Sequence, residues 1–132
     1  MNRFALAQLK HLNEIKISEH FYLIEFESPD THEVMLDFRL LIRLEMVRDC
    51  ALSPIIIRSG YRTPEHNTSI PGAAKNSYHL KGMAADISCK KLTFSELLSI
   101  VTRCGFNGII VHNKHQYIHV DVRAKKYYEV AD

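Results

Sequence analysis

The sequence has few cysteines, no long apolar run and almost no net charge. Its three cysteines, Cys50, Cys89 and Cys104, lack C-x-x-C spacing, which argues against a disulfide framework and against a thiolate zinc site. No stretch is long and apolar enough to predict a membrane span, and the N-terminus lacks the apolar core of a signal peptide. The 17 basic and 15 acidic residues leave a formal net charge of +2, which gives no reason to expect a nucleic-acid partner.

The length and the order of the predicted elements favour one small α+β domain with a mainly antiparallel sheet. No repeat or linker divides residues 1–132, so we interpret residues 1–17 as a lead-in and residues 18–123 as the core. The lead-in has a weak helical pattern at Leu6, Leu9 and Leu12. The predicted core elements are a helix over 33–51, a buried strand over 55–57, a long functional loop over 58–82, a strand over 83–89, a helix from the capping box at 93–96 to Gly105, a hairpin with strands 108–112 and 115–122, and a basic, aromatic tail at 125–128.

The predicted strand at 83–89 carries a carboxylate on its polar face. Side chains alternate across a strand, so Asp86 lies opposite the apolar face formed by Ala85 and Ile87. His79 precedes this strand, and Gly82 gives the intervening backbone the freedom to turn His79 back over it. An imidazole and a carboxylate are therefore expected on the same side of the sheet.

The last predicted strand carries a second set of polar side chains. His115, Tyr117, His119 and Asp121 share one face, whereas Ile118 and Val120 belong to the opposite, apolar face. If the two strands pair, His119 can meet Asp86 and His79. Two imidazoles and one carboxylate are a typical ligand set of zinc hydrolases, which keep the fourth position open for water. With eight histidines in the chain, a chance coincidence of such residues is the alternative.

Three motifs resemble one known family. They are Ser59-Gly60-Tyr61-Arg62-Thr63-Pro64 followed by Asn67, then Ser77-x-His79-x-x-Gly82-x-Ala84-x-Asp86, then His119-x-Asp121. Together they resemble the zinc D-Ala-D-Ala carboxypeptidases, in particular their short phage- and bacteria-borne branch. The wider group includes vancomycin-resistance D,D-dipeptidases, phage L-Ala-D-Glu endolysins and Hedgehog signalling domains. The resemblance covers residues 18–123 and implies a small, mainly antiparallel sheet with helices packed on one face.

The resemblance also implies roles for individual residues. His79, Asp86 and His119 match the zinc ligands of the family. Arg62 matches an arginine that faces the substrate or the developing oxyanion, for which a charged, forked guanidinium is suited; a surface or salt-bridged arginine is the alternative. Ser77 matches a serine near the substrate, and the alternative is a loop hydroxyl that bonds to local backbone.

The general base is the point at which this chain departs from the family pattern. Many members carry a catalytic glutamate where this chain has Gln116, and others have a histidine at the position of Tyr117. An amide cannot accept a proton at neutral pH. Asp121 is our first candidate for the base, with a carboxylate that supports His119 as its alternative role. His115 is the second candidate.

We therefore expect a zinc-dependent peptidase that hydrolyses a bond in peptidoglycan stem peptides, either as a D-Ala-D-Ala carboxypeptidase or as a related endopeptidase. The alternative is a zinc-containing module that binds the cell wall or a particle without turnover. A non-haem Fe(II) oxygenase is disfavoured because it needs a further histidine well downstream. Without a predicted signal peptide, a protein made in the cytoplasm would reach the wall only by lysis, in a phage particle or by another export route. The sequence leaves the oligomeric state open.

Overall fold

The computed structural model describes residues 12–132, and the predicted helical pattern at Leu6 and Leu9 lies outside that range. Within it, helices and strands alternate along the chain around one sheet. The elements are α1 (Phe38–Ala51), β1 (Ile56–Ser59), α2 (Pro64–Ser69), β2 (Ala84–Ser88), α3 (Phe94–Val101), β3 (Gly108–His112), β4 (Tyr117–Asp121) and β5 (Tyr127–Val130). Short 3₁₀ turns occupy Leu23–Phe26 and Tyr78–Lys81. No helix in the described range is long and apolar enough to cross a bilayer.

The sheet has the strand order β1-β2-β4-β3-β5. Its neighbours pair antiparallel, except that β5 runs parallel to β3. The prediction of an α+β fold with a mainly antiparallel sheet is therefore confirmed. The strand β5 was not predicted, because Lys125-Lys126 led us to interpret the end of the chain as a basic tail.

One face of the sheet carries the hydrophobic core, and the helices α1 and α3 contribute to that core. Leu40, Leu44 and Val47 of α1 are fully buried, as is Val101 at the end of α3. The sheet supplies alternate residues of its central strands, which are Ala85, Ile87, Ile109, Val111, Ile118 and Val120. Strand alternation therefore leaves the opposite face for polar side chains, as the sequence pattern predicted.

The first and third helices begin at side-chain caps. The helix α1 starts after Asp37, whose carboxylate accepts a hydrogen bond from the backbone N–H of Arg39 at 2.9 Å, rather than at the predicted residue 33. The capping box at the start of α3 is confirmed, since Thr93 and Glu96 bond to each other's backbone N–H. The helix ends at Val101, and turns carry the chain on to Gly105, where the prediction had ended the helix.

The region between β1 and β2 contains more regular structure than the predicted long loop. The short helix α2 starts at Pro64 behind the N-cap Thr63, a start signal that the sequence analysis overlooked. The strand predicted to be buried at 55–57 is instead an edge strand shifted by one residue, and Ile56 on it is 37% exposed. Ile55, just before the strand, belongs to the buried core, and the partly buried Ile57 packs against it.

The hairpin between β3 and β4 is confirmed, but its turn is longer than predicted. Residues 113–116 form the turn, and Gln116 adopts a left-handed backbone conformation with φ of 56°. His115 therefore lies in the turn and not on β4, which is a correction to the predicted strand. The polar face of β4 begins at Tyr117 and continues with His119 and Asp121.

Candidate metal centre

The register of the sheet places Asp86 of β2 directly opposite His119 of β4. His79 comes from the 3₁₀ turn that precedes β2, and this turn ends at Gly82 with φ of 67°. A Cβ atom at Gly82 would lie 2.4 Å from the carbonyl oxygen of Met35, so only glycine fits this close turn. The backbone N–H of Arg62 also bonds to the carbonyl of His79 at 3.1 Å. These contacts fix His79 beside the two strand residues.

The three predicted ligands come together at one buried point. Nε2 of His79 lies 3.2 Å from Oδ1 of Asp86, and Nδ1 of His119 lies 3.2 Å from the same oxygen. The two ring nitrogens are 3.3 Å apart. The three residues are at most 7% exposed. The spatial convergence that the sequence pattern predicted is therefore present in the fold.

The outer contacts of the two imidazoles leave one nitrogen of each ring directed at Asp86. Nδ1 of His79 lies 2.7 Å from the carbonyl oxygen of Gly60, and Nε2 of His119 lies 2.7 Å from a carboxylate oxygen of Asp121. Each of these oxygens only accepts, so each neutral ring places its single N–H there. The lone pairs of the other two nitrogens then face each other and the Asp86 carboxylate. With the rings in this state, two lone pairs and a carboxylate form a buried set of acceptors that a cation can satisfy.

The spacing of the three acceptors fits zinc. Zinc bonds of about 2.0–2.2 Å in a tetrahedron place any two ligand atoms about 3.3–3.6 Å apart. The observed separations of 3.2 and 3.3 Å between the three ligand atoms are close to the lower end of that range. Burial raises the pKa of Asp86, but its contacts with His119 and His79 outweigh burial and hold that pKa well below its ordinary value, so this carboxylate is ionised as a metal ligand must be.

Asp121 lies behind His119, on the side away from the three converging atoms. Its fully buried carboxylate accepts from Nε2 of His119 at 2.7 Å and from the backbone N–H of Arg123 at 3.1 Å. The guanidinium of Arg123 donates two further bonds, at 2.8 and 2.6 Å. Burial works to raise the pKa of Asp121, but the bonds from Arg123 and His119 outweigh it and lower that pKa. This arrangement is typical of a carboxylate that orients a ligating histidine.

Two aromatic rings contact Arg123, and a glycine leaves space for Asp121. The guanidinium carbon of Arg123 lies 4.5 Å from the ring centre of Tyr78 and 4.6 Å from that of Tyr127, distances at which cation–π attraction is effective. Gly108 of β3 pairs with Asp121, and a Cβ atom there would lie 2.1 Å from the Asp121 carboxylate. Glycine at this position is what leaves room for the carboxylate.

Arg62 lies at the edge of the cluster and contacts it directly. Its Nη2 donates to Oδ2 of Asp86 at 3.2 Å, its Nη1 to Asn67 at 3.2 Å and its Nε to Ser59 at 3.1 Å. A guanidinium has five N–H groups, so two remain for a ligand. Burial lowers the pKa of Arg62, against the attraction of Asp86, although arginine keeps its charge in proteins.

Ser77 lies beside the cluster and also caps the 3₁₀ turn that carries His79. Its hydroxyl accepts a hydrogen bond from the backbone N–H of His79 at 3.2 Å and so caps the 3₁₀ turn that carries this histidine. The side chain is nearly buried, and the residue lines the cleft beside the cluster. The local backbone bond that was the alternative for Ser77 is present, and its place in the cleft is compatible with a substrate contact as well.

A cleft of about 360 Å³ opens beside the three acceptors. Arg62, Ser77 and Tyr117 belong to its wall, and the Tyr117 ring stacks on His112 at 4.3 Å between ring centres. Burial raises the pKa of the Tyr117 phenol, so its hydroxyl is a hydrogen-bond donor at neutral pH. Apolar residues complete much of the lining, namely Ile70, Pro71, Ala73, Ala74, Ile110 and Ala131.

The second candidate for the base, His115, does not line this cleft. In the hairpin turn its carbonyl accepts from Arg58, and the side-chain amide of Gln116 donates to the carbonyl of Asn113 at 2.7 Å. The site instead includes Glu129 of β5, which lines the cleft and which the sequence analysis missed. The signal that could have found it is the alternation in Tyr127-Tyr128-Glu129-Val130, which matches a short strand.

Comparisons with known proteins agree with this geometry. A family model described as Peptidase M15 matches residues 17–121. The chain is also similar to the peptidoglycan L,D-endopeptidase MepK of Escherichia coli strain K12 and to the protein of the same name from Shigella flexneri. In both cases 28% of 72 aligned residues are identical, and the alignment covers 52% of this chain. It spans 40% of the length of those relatives.

Proposed function

The chain belongs to the peptidase M15 family, and on this premise we propose that it is a zinc-dependent peptidase that hydrolyses a bond in peptidoglycan stem peptides. The family resemblance inferred from the three sequence motifs is thereby confirmed, whereas the metal, the substrate and the bond form the proposal. Support for peptidoglycan as the substrate comes from the similarity to MepK over 72 residues.

The observation that carries the proposal is the convergence of three buried acceptors beside an open cleft. His79, Asp86 and His119 would hold the zinc ion, which supplies Lewis-acid polarisation of the scissile carbonyl and a lowered pKa of water. The set of two histidines and one carboxylate is one of the known ligand sets of catalytic zinc, with a position left for water. The cleft gives a peptide access to this position.

Arg62 is proposed to bind the substrate and to stabilise the oxyanion. Its contacts with Asp86, Asn67 and Ser59 fix the guanidinium plane, and its two remaining N–H groups can donate to an oxygen of the substrate. A preorganised donor of this kind is worth more in a partly buried site than in water, because it needs no reorganisation as charge develops. Ser77, which lines the same cleft, is proposed to contribute a further substrate contact.

We consider two roles for Asp121, that of general base and that of a residue that positions His119. The sequence analysis placed it first as general base, and this hypothesis stays a prediction. The contacts of its carboxylate with His119 and Arg123 favour the other version, in which Asp121 positions His119 by fixing its tautomer. A carboxylate whose pKa is lowered by such bonds is also a weak proton acceptor.

The bond cleaved distinguishes two forms of the proposal. A D-Ala-D-Ala carboxypeptidase would release free alanine from the end of the stem peptide, whereas an endopeptidase would cut within it. Purified muropeptides incubated with zinc-loaded protein and analysed by mass spectrometry would report both the cleavage and its position. We expect cleavage by the wild type and none after chelation of zinc or in Asp86→Ala. Cleavage that persists without metal would refute the proposal.

A binding module without turnover is the second candidate. Its support is Gln116, which stands where many family members have the glutamate that acts as general base. The side-chain amide of Gln116 is hydrogen-bonded within the hairpin turn. This version predicts that wild type and Asp86→Ala both sediment with murein sacculi and that neither releases a product. Product formation by the wild type alone decides in favour of the enzyme.

A further inference from the structure

Glu129 places a carboxylate on the site face of the sheet, at some distance from the metal centre. It pairs with Ile110 of β3, and Ile110 pairs with His119 of β4. Residues paired directly across a sheet point to the same face, so Glu129 and His119 share a face two strands apart. With strands about 4.8 Å apart, their backbones are separated by about 10 Å.

Glu129 is the common border of two adjoining cavities. It lines the cleft of about 360 Å³ beside the metal centre. It also lines a second cavity of about 270 Å³, whose wall includes Arg123 and Tyr127. His119, Ile110 and Ser77 are shared by the two cavities as well. The two cavities therefore form one groove that passes from the metal centre over Ile110 to Glu129.

The carboxylate of Glu129 makes few contacts within the fold. It accepts a hydrogen bond from the hydroxyl of Tyr127, and among residues 12–132 no basic side chain forms an ion pair with it. Arg123 and Arg62, the arginines in the walls of this groove, are both engaged with aspartates. Glu129 is exposed on the edge strand β5, so it holds no part of the core. Its second oxygen is available to a ligand.

The two ends of the groove therefore differ in the groups that they offer to a ligand. One end has Arg62 and the metal ligands, and the other end has a carboxylate without a cationic partner in the described chain. We propose that Glu129 forms a subsite for a primary ammonium group of the peptide substrate. This inference rests on the proposed function, because it assigns a second recognition point to the same groove.

The position of Glu129 sets the distance at which the ammonium must lie. An extended peptide advances about 3.3 Å per residue, so about 10 Å from His119 corresponds to two or three residues or to one long side chain beside the scissile bond. The amine can thus come from a lysine-type side chain or from the N-terminus of the peptide. Both sources offer the same charged hydrogen-bond donors to the carboxylate.

A binding experiment tests the subsite independently of turnover. Metal-free protein would be titrated by NMR with the tetrapeptide L-Ala-D-Glu-L-Lys-D-Ala in three forms: unmodified, acetylated at the side-chain amine, and acetylated at the N-terminus. We expect the unmodified peptide to bind about tenfold tighter than one of the two acetylated forms, which identifies the source of the ammonium. In Glu129→Gln this difference should disappear, while Glu33→Gln, which removes an exposed carboxylate outside both cavities, should retain it.

The outcomes separate this inference from the proposed function. Equal affinity of the wild type for all three peptides would overturn the ammonium subsite, even if the zinc-loaded protein cleaves muropeptides. Discrimination that is lost in Glu129→Gln would support the subsite even if no cleavage is found. If Glu129→Gln leaves the three affinities unchanged but stops turnover of every form, Glu129 takes part in proton transfer and the subsite is refuted.

Discussion

The carboxylate of Asp121 accepts a hydrogen bond from Nε2 of His119 at 2.7 Å. This bond decides which nitrogen of His119 carries the proton, and it leaves Nδ1 free to face His79 and Asp86. The chain thus uses a residue two positions away on the same strand face to prepare a ligand. A metal site of this kind depends on its supporting residues nearly as much as on its ligands.

Asp121→Asn tests that dependence. An amide no longer fixes the tautomer of His119 and leaves the guanidinium of Arg123 without its anion, so we expect the zinc affinity to fall about 10- to 100-fold. Competition with a chromophoric chelator measures this. If Asp121 acts as general base instead, zinc binding would be unchanged and only kcat at saturating zinc would fall.

Gly108→Ala perturbs the Asp121 carboxylate from the neighbouring strand β3. A Cβ atom would lie 2.1 Å from the Asp121 carboxylate, so the carboxylate or the strand must move. We expect a loss of unfolding free energy of about 1–3 kcal/mol, as for other overpacked sites, together with weaker zinc binding. Chemical denaturation and a zinc titration on the same preparation would check both, and an unchanged zinc affinity would contradict the proposed link between Gly108 and the metal site.

Zinc should stabilise the wild type through His79, Asp86 and His119. A ligand at 100 times its Kd adds about 2.7 kcal/mol, which for a domain of this size raises Tm by about 10 °C. We expect chelation to remove this increase in the wild type, and Asp86→Ala to show none. Asp49→Asn is a matched control, because Asp49 is exposed and lies outside the cluster of His79, Asp86 and His119, so its loss should leave the zinc-dependent shift intact.

Arg62→Lys keeps the charge but removes the forked geometry. A lysine cannot maintain the contacts with Asp86, Asn67 and Ser59 and also donate to an oxyanion. We expect kcat/KM on muropeptides to fall about 10²- to 10³-fold while zinc is still bound. Arg48→Lys, on α1 and outside the cleft lining, should retain activity. An active Arg62→Lys protein would instead favour the alternative of a salt-bridged, structural arginine.

Glu45 of α1 connects this helix to the segment that contains Ser18 and His20, and its removal should cost stability in a pH-dependent way. The carboxylate accepts from the Ser18 hydroxyl at 2.5 Å and from the His20 backbone N–H at 2.8 Å. Burial opposes these bonds, but they prevail and lower the pKa of Glu45. Its contribution is therefore present at neutral pH and is lost as the pH falls through the folded-state pKa.

We expect Glu45→Gln to lower the unfolding free energy by about 1–2 kcal/mol at pH 7. The difference from the wild type should shrink as the pH falls through the folded-state pKa, below which the carboxyl group is protonated in both the folded and the unfolded chain. Denaturant titrations at several pH values measure this. A difference that grows on acidification would contradict the lowered pKa.

The sequence predicted the three residues of the metal cluster better than the strand β5 beside them. Strand alternation placed Asp86 and His119 on the polar faces of β2 and β4, and the turn at Gly82 brought His79 to them. These predictions needed only local periodicity. The position of β5 did not emerge in the same way, because all four of its residues are exposed and their pattern marks no buried face.

The misplacement of His115 has a similar physical origin. The pattern from residue 115 to 122 alternates well enough to extend the strand, but Gln116 takes a left-handed conformation and the turn consumes four residues. Alternation alone cannot show where a hairpin turn ends when asparagine, lysine, histidine and glutamine follow one another. The consequence was a candidate base placed on a face to which it does not belong.

The strand β5 follows the matched family region, which ends at residue 121. A fragment trimmed to that boundary would uncover the hydrogen-bonding edge of β3, whose residues Ile109 and Val111 are apolar. An open apolar strand edge is a template for pairing with other molecules, so such a fragment should self-associate. Expression of this domain for crystallisation should therefore extend at least to Val130.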